Sequence, residues 1–464
     1  MSLPHPTPLS RAHKRFLRSL FPAEGLLLAP EAMHVYGIDA SRSHAMPQAV
    51  VRPSSVEQVQ RLLAWADAET IPVYTRGRAT NVVGGCVPER GGVVLSTLHL
   101  NRILEIDAHD FVAVVQPGVI TGELQKEARA KGLLYAPDPA SAAVSSIGGN
   151  VATNAGGMRA VKYGVTRDAV LGLEAVLPGG RIIRTGARTH KDVAGLDLTS
   201  LLVGSEGTLG VVTRAWLKLL PAPPQTASVL AFFPELETAL EAAQAVFMAG
   251  MLPVALEFLD RDVLGCIRQI APLPKAETAA AALLIQVDGI SACVAAQKEA
   301  VETVCTQAGA TTLYTGLGSQ EEQRVWQARR LINQASFRIA PHKFSQDVTV
   351  PRGRVGRYIQ GVKQIAAEEG VTILTFGHLG DGNIHTNIMY DKGRQSQRQA
   401  VGRASRRILR FVLELEGSLS GEHGIGRSRR TFVHEQIGRE QQSLMRRVKH
   451  VFDPNAILNP DKGY

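Results

Sequence analysis

The sequence predicts an α+β protein of two main domains, and three observations carry that prediction. Residues 53–220 alternate short β-branched runs with amphipathic stretches of helical period. Pro221, Pro223 and Pro224 then stop the pattern, and clustered prolines of this kind mark a boundary. Beyond them strand and helix alternate afresh, in an order that suggests two similar βαβ halves, a ferredoxin-like arrangement closed by a helical tail. The expected division is an N-terminal helical segment over 1–44, a first domain over 45–221 and a second over 222–464.

Taken in order, Ser54 with Glu57 reads as a capping box ahead of the stripe Val56, Val59, Leu62 and Leu63, so a helix starts there. Pro72–Thr75 is a short strand that runs into a glycine-rich loop. Strands follow at Val93–Leu95, Ile103–Ile106 and Val112–Val115, then a helix from Thr121 that ends at Gly132. Leu173–Leu177, Arg181–Arg184 and Gly210–Thr213 are further strands. In the second domain the expected strands are Ser228–Phe233, Val254–Leu259, Leu283–Val287, Asp347–Val350 and Val371–Phe376, with a further strand reaching Tyr390. Helices are expected at Glu235–Ala249, from Arg261, at Ser291–Ala308, around Glu321–Ala335, at Gly353–Ala367 and at Ile408–Leu415.

Composition bounds the function. There are 51 Lys plus Arg against 42 Asp plus Glu, a formal net charge of +9. Arginines gather late, at Arg394, Arg398, Arg403, Arg406, Arg407 and Arg410, and again at Arg427, Arg429, Arg430, Arg446 and Arg447. Aromatic residues are only 5%, and few lie among these arginines, which leaves a base-stacking platform poorly supported. The balance fits a solvated helix face, an anionic substrate, an acidic partner or an anionic lipid surface better than nucleic acid. Cys86, Cys266, Cys293 and Cys305 form no CxxC pair, so neither a disulfide framework nor a cysteine zinc site is expected and a reducing compartment fits. No apolar run approaches the ~18 residues that span a bilayer. The expected location is the cytoplasm, with an inner-membrane surface as the peripheral alternative.

Glycine is in excess, at 44 of 464 residues, about 9.5% against a typical ~7%. Without a Gly-X-Y period, the surplus belongs in turns or where backbone meets a ligand. It concentrates in three loops of the first domain, PVYTRGRATNVVGG (72–85), PDPASAAVSSIGGNVATNAGG (137–157) and GSEGTLGVVT (204–213). Backbone N–H groups in such turns make nests for an anion, and Asn and Thr add hydrogen bonds. None is a Rossmann GxGxxG turn or a Walker loop. Each alone also reads as an ordinary turn.

Two further segments carry chemistry. HLGDGNIH (378–385) follows an apolar strand, and its Asp381-Gly382 pair is a strong turn signal that folds His378 and His385 toward one another at the mouth of a hairpin. GEHGIG (421–426) brings Glu422 and His423 together in a second glycine-rich loop. Two histidines and a carboxylate make a divalent site with an open position; solvated loop residues are the plain alternative. A hydrolytic zinc enzyme is the rival chemistry, and the chain has no HExxH helix.

Together these motifs resemble the vanillyl-alcohol-oxidase type of flavoprotein, and over roughly 45–464 the D-lactate dehydrogenase and glycolate oxidase flavoprotein subunit group. That resemblance implies a two-subdomain FAD-binding domain followed by a substrate domain. It implies FAD held by Arg76, Gly77, Arg78, Ala79, Thr80, Asn81, Gly84 and Gly85 of the first loop. Further contacts implied are Pro137, Asp138, Ser141, Ser145, Ile147, Gly148, Gly149, Asn150, Thr153, Asn154 and Gly157 of the second, then Gly207, Val212 and Asn459. Family members commonly have glycine at the positions of Ala79 and Asn81; both replacements are small. Relatives with covalent flavin place a histidine in the first loop, where this chain has Thr80 nearby and no histidine, so FAD is expected to be non-covalent. The same resemblance implies His378, His385 and Glu422 as ligands of a divalent metal (zinc, manganese or iron), and His423 as catalytic base. Arg329, Lys343 and Asn387 are the implied substrate contacts.

The implied reaction is oxidation of a D-2-hydroxy acid by hydride transfer from C2 to flavin N5, with D-lactate to pyruvate first. Glycolate and D-2-hydroxyglutarate are rivals. A glutarate reader needs a second cationic contact, and none is identifiable. An imidazole, with an unperturbed pKa of about 6.5, accepts a proton at neutral pH. Electrons would pass to a cytochrome, a quinone, an electron-transfer flavoprotein or an iron–sulfur subunit. Oligomeric state, homodimer included, is open at this point.

Overall fold

The computed structural model describes residues 8–41, 43–270 and 278–463. The chain forms two compact units. One break falls at Ala222/Pro223, and the units do not follow a linear division. The first unit is Met1–Gly156, Gly164–Ala222 and Glu422–Tyr464; the second is Gly157–Tyr163 and Pro223–Gly421.

The first unit contains two larger sheets. In one, Ala49–Val51, Val93–Ser96 and Val73–Arg76 are parallel neighbours, with Leu26–Leu27 antiparallel at one edge. Helix Val56–Ala68 buries Val59, Leu62, Leu63 and Ala66, one face of a helical period, against Val51, Val73 and Val93. Its cap sits one residue later than expected. Ser55 accepts from the Gln58 N–H at 3.3 Å, and the Gln58 side chain accepts from the Ser54 N–H at 2.8 Å. The return bond goes to the residue before the cap, so the expected capping box is not closed on the cap's own N–H, while the apolar stripe is the same in either frame.

The other sheet is antiparallel, in the order Ile103–Asp107, Val112–Val115, Val211–Lys218, Val170–Val176, Ile182–Gly186. Helices Thr121–Ala130 and Ile147–Thr153 send Leu124, Ala128, Ile147 and Val151 into its core. The C-terminal segment completes both cores, Phe452 in this one and Ile457 and Leu458 in the first. It is also zipped to the first sheet by backbone: the Val73 N–H donates to the Ile457 carbonyl and the Asn459 N–H to the Val73 carbonyl, each at 2.8 Å.

The second unit is built on a seven-stranded antiparallel sheet. Its order is Thr312–Leu317, Gln225–Phe233, Ala281–Gly289, Ala255–Asp260, Thr372–His378, Asn383–Tyr390, His342–Thr349. The first four strands, numbered along the chain, lie in the order 4-1-3-2, the split βαβ pattern of a ferredoxin-like half. The last three repeat it without a fourth strand. On one face, Leu230, Phe232, Leu259, Leu284, Leu374 and Phe376 pack against helices Arg261–Arg268 and Gln327–Ser336 through Leu264, Ile267, Ile332 and Ala335. The helix expected around Glu321–Ala335 is two helices, Ser319–Val325 and Gln327–Ser336, which meet at Trp326. The Trp326 indole N–H donates to the Ser228 hydroxyl at 3.0 Å, which fixes the junction to the sheet. Among the described residues no helix is long and apolar enough to cross a membrane.

Candidate active site

The first unit holds a cavity of about 390 Å³, a size typical of ligand pockets. All three glycine loops contribute to its wall. Of the residues expected to hold FAD, Gly77, Arg78, Ala79, Thr80, Asn81 and Gly85 line it from the first loop. Ser141, Gly148, Gly149, Asn150 and Thr153 come from the second, and Gly207, Val212 and Asn459 from later segments. The others lie behind the wall or away from it. Arg76 turns its guanidinium to the Val35 and Ile38 carbonyls. Ser145 bonds the Thr121 hydroxyl at 3.0 Å, Ile147 is core, and the Asn154 side chain accepts from the Arg167 N–H at 2.8 Å. Pro137 and Asp138 are held by Gln125, Gly84 makes a turn at φ +76°, and Gly157 belongs to the second unit.

The sequence reading missed Thr75 and Ser146 on this wall; with the expected Asn459 they carry telling chemistry. Thr75 Oγ1, Ser146 Oγ and Asn459 Oδ1 line the cavity, are buried, and have no hydrogen-bond partner among the described residues. An unsatisfied buried polar group costs about 1–3 kcal/mol. Three of them around one cavity suit a ligand rich in hydroxyl and phosphate oxygens and ring nitrogens, as FAD is. The small residues are required by close packing. A Cβ on Gly148 would lie 2.6 Å from Pro117 Cβ, and one on Gly77 would lie 2.3 Å from Ser146 Oγ.

Glu422 and His423 line the same cavity, with His423 Nε2 3.8 Å from Glu422 Oε1. Their loop is anchored at both ends. Asn81 Nδ2 donates to the His423 carbonyl at 2.9 Å, while Asn81 Oδ1 accepts from the Val83 and Gly85 N–H groups. Beyond His423, the N–H groups of Ile425 and Gly426 donate to Glu206 Oε1 and Oε2 at 2.6 and 2.8 Å. Burial pushes the Glu206 carboxyl up, against the pull of those two bonds. Ala79 sits at φ +55°, a conformation glycine adopts more easily.

In the second unit, register gathers the other candidates on one sheet face. Directly opposed residues of antiparallel strands share a face. Glu257 opposes His378, His385 opposes both Phe376 and Asp347, and Asn387 opposes Ser345 and Leu374. Gly382, at φ +84°, makes the turn between the two histidine-bearing strands. The His378 and His385 rings stand 5.1 Å apart at 83°. His378 Nδ1 is 2.5 Å from Glu257 Oε1, and Arg329 Nε donates to Glu257 Oε2 at 2.6 Å. Burial pushes the Glu257 carboxyl up, but His378 and Arg329 more than offset it and hold the group down at about 2. The Arg329 guanidinium also lies 5.2 Å from the Phe376 ring centre. Lys343 Nζ reaches Asn333 Oδ1, and Asn387 is buried.

Asp347 was not foreseen either. It is fully buried, 3.7 Å from His385 Nδ1, and accepts from Asn383 Nδ2 at 2.7 Å and from the Gly421 N–H at 3.2 Å. A signal for Glu257 was present: it is the one charge inside the apolar run VALEFL (254–259), and a buried charge demands a partner.

Comparison with known proteins agrees with both halves. A profile described as "FAD linked oxidases, C-terminal domain" matches residues 222–463, and an "FAD binding domain" profile matches 47–186. The chain belongs to the FAD-linked oxidase family. This FAD-linked oxidoreductase is 40% identical to "Glycolate oxidase subunit GlcD" of Bacillus subtilis (strain 168), over 93% of this chain and 92% of that protein. It is 35% identical to "D-lactate dehydrogenase" of Anaerostipes hadrus, over 93% and 91%. It is 32% identical to "D-2-hydroxyglutarate dehydrogenase" of Stutzerimonas stutzeri (strain A1501), over 96% and 97%. Among solved structures, p-cresol methylhydroxylase superposes with a TM-score of 0.81 over 98% of each chain at 18% identity, which places the fold with the vanillyl-alcohol-oxidase type.

Proposed function

We propose that this FAD-linked oxidoreductase oxidises a D-2-hydroxy acid in a metal-dependent reaction, with D-lactate as the leading substrate and glycolate and D-2-hydroxyglutarate as close rivals. The observation that carries the proposal is the sheet face of the second unit. Two imidazoles suited to a divalent cation, His378 and His385, stand side by side there, and Glu257 joins His378 to the Arg329 guanidinium, a group suited to a carboxylate. A 2-hydroxy acid presents a hydroxyl for the first and a carboxylate for the second. The relatives named for glycolate, D-lactate and D-2-hydroxyglutarate support the same class.

The roles divide as follows. His378 and His385 supply two metal ligands and Glu422 the third. Glu422 is one peptide bond beyond Gly421, whose N–H is held by Asp347. Zinc, manganese and iron all suit such a donor set. A metal held by these three side chains would supply polarisation of the substrate hydroxyl, and FAD held non-covalently by the glycine loops would supply the hydride acceptor for C2. Arg329 and Lys343 hold the carboxylate, Asn387 donates beside it, and His423 takes the hydroxyl proton. The electrons then go to an acceptor such as a cytochrome, a quinone, an electron-transfer flavoprotein or an iron–sulfur subunit.

Chelation tests the metal role. Dialysis against a strong chelator is expected to abolish turnover while the flavin absorbance stays, and added zinc or manganese is expected to restore it. Full activity in protein verified to be metal-free would refute the role.

A further inference from the structure

We propose that Glu257 is a positioning residue that serves both the metal and the substrate carboxylate; the inference rests on the metal and substrate roles given above. Glu257 is fully buried, and it forms an ion pair with Arg329. Neutralisation alone needs one partner, and Arg329 supplies it. Glu257 has two. Oε2 accepts from Arg329 Nε at 2.6 Å, and Oε1 meets His378 Nδ1 at 2.5 Å. Backbone register, with Glu257 directly opposite His378, holds the second pair in place.

Each bond leaves a particular atom for the reaction. A hydrogen bond from Nδ1–H to a carboxylate fixes the imidazole tautomer, so His378 keeps its lone pair on Nε2, the nitrogen turned away from Glu257. Carboxylates that hold a histidine this way orient it and raise its strength as a ligand. Glu257 grips Arg329 by Nε, which leaves the pair Nη1 and Nη2 as the end-on fork that reads a carboxylate with two parallel bonds. Phe376 steadies the same guanidinium, at 5.2 Å, and lies 5.4 Å from the His385 ring. One buried carboxylate thus sets the spacing between the cation and the carboxylate reader, and with it how a 2-hydroxy acid bridges them.

The test compares wild-type protein with Glu257→Gln, both FAD-loaded. Zn²⁺ or Mn²⁺ alone is titrated into metal-free protein against a chromophoric chelator. The expected result is a ~10–100-fold loss of metal affinity in the variant, the scale seen when such histidine partners are removed. The KM for D-lactate rises with it, and the flavin spectrum is unchanged. Ring ¹⁵N spectra of the metal-free wild type provide a measurement that needs no variant, with His378 expected to carry its proton on Nδ1. Equal metal affinity in the two proteins, or a His378 proton on Nε2, would overturn the role of Glu257 and leave the metal proposal standing. A wild type that binds neither ion would sink both.

Discussion

His423 is held in place by residues far from it in sequence. Asn81 takes its carbonyl, and Glu206 takes the two N–H groups that follow, so the imidazole projects from a clamped loop into the flavin cavity. Preorganisation of this kind is what a general base requires. His423→Asn is expected to slow flavin reduction by ~10²-fold or more in anaerobic stopped flow, with FAD content unchanged. A small effect would move the base elsewhere. GEHGIG singles this histidine out as a candidate in the sequence, because two glycines and a carboxylate beside an imidazole are an unusual grouping, and the fold puts it on the cavity wall. Its supports were not legible in the sequence. Asn81 is 342 positions away, and no local pattern announces a carbonyl partner at that separation. Thr75 and Ser146 were equally hidden, since only the folded cavity shows which hydroxyls lack a partner among the described residues.

At the scale of elements, Asp260 joins a strand to a helix and carries a pH signature. It caps helix Arg261–Arg268 by accepting from the Val263 N–H at 2.8 Å, and it also accepts from the Thr375 N–H at 2.9 Å and from the Thr375 hydroxyl. Burial nonetheless pushes its carboxyl up to about 6. The fold therefore favours the protonated form. The resulting stabilisation is full below the unfolded value of about 3.9 and is lost as pH rises through about 6. Urea unfolding of Asp260→Asn and wild type is expected to show a wild-type advantage larger by roughly 2 kcal/mol at about pH 4.5 than at about pH 7.5. A difference that is flat with pH would contradict this. Elements with strong periods were legible, such as helix Val56–Ala68 and strand Gln225–Phe233. Strand Thr312–Leu317 was not, because it is a sheet edge whose residues are mostly half-buried or exposed and so show no clear alternation. The break at Trp326 was hidden for a different reason: it is set by a hydrogen bond to Ser228, a residue on a distant strand.

At the scale of the whole chain, the net charge of +9 does not all face outward. Part of the positive charge is spent internally, as where Arg403 and Arg407 pair with Glu369 and Glu368, and where Arg188 meets Glu105, Asp107 and Asp110. The return of residues 422–464 to the first unit could not be read from a linear pattern. It follows from apolar partners, Phe452, Ile457 and Leu458, that complete cores begun hundreds of residues earlier. The loop with Glu422 and His423 opens this returning segment, so one short motif is divided at Gly421/Glu422 between the second unit and the first. The central claim, that a D-2-hydroxy acid reduces the bound flavin, is tested most directly by anaerobic mixing of the FAD-loaded protein with a panel of D- and L-2-hydroxy acids. Rapid bleaching of the flavin band by D-lactate, glycolate or D-2-hydroxyglutarate, with the L-acids inert, is the predicted result. A flavin that stays oxidised with every member of the panel, or one bleached by the L-acids alone, would contradict it.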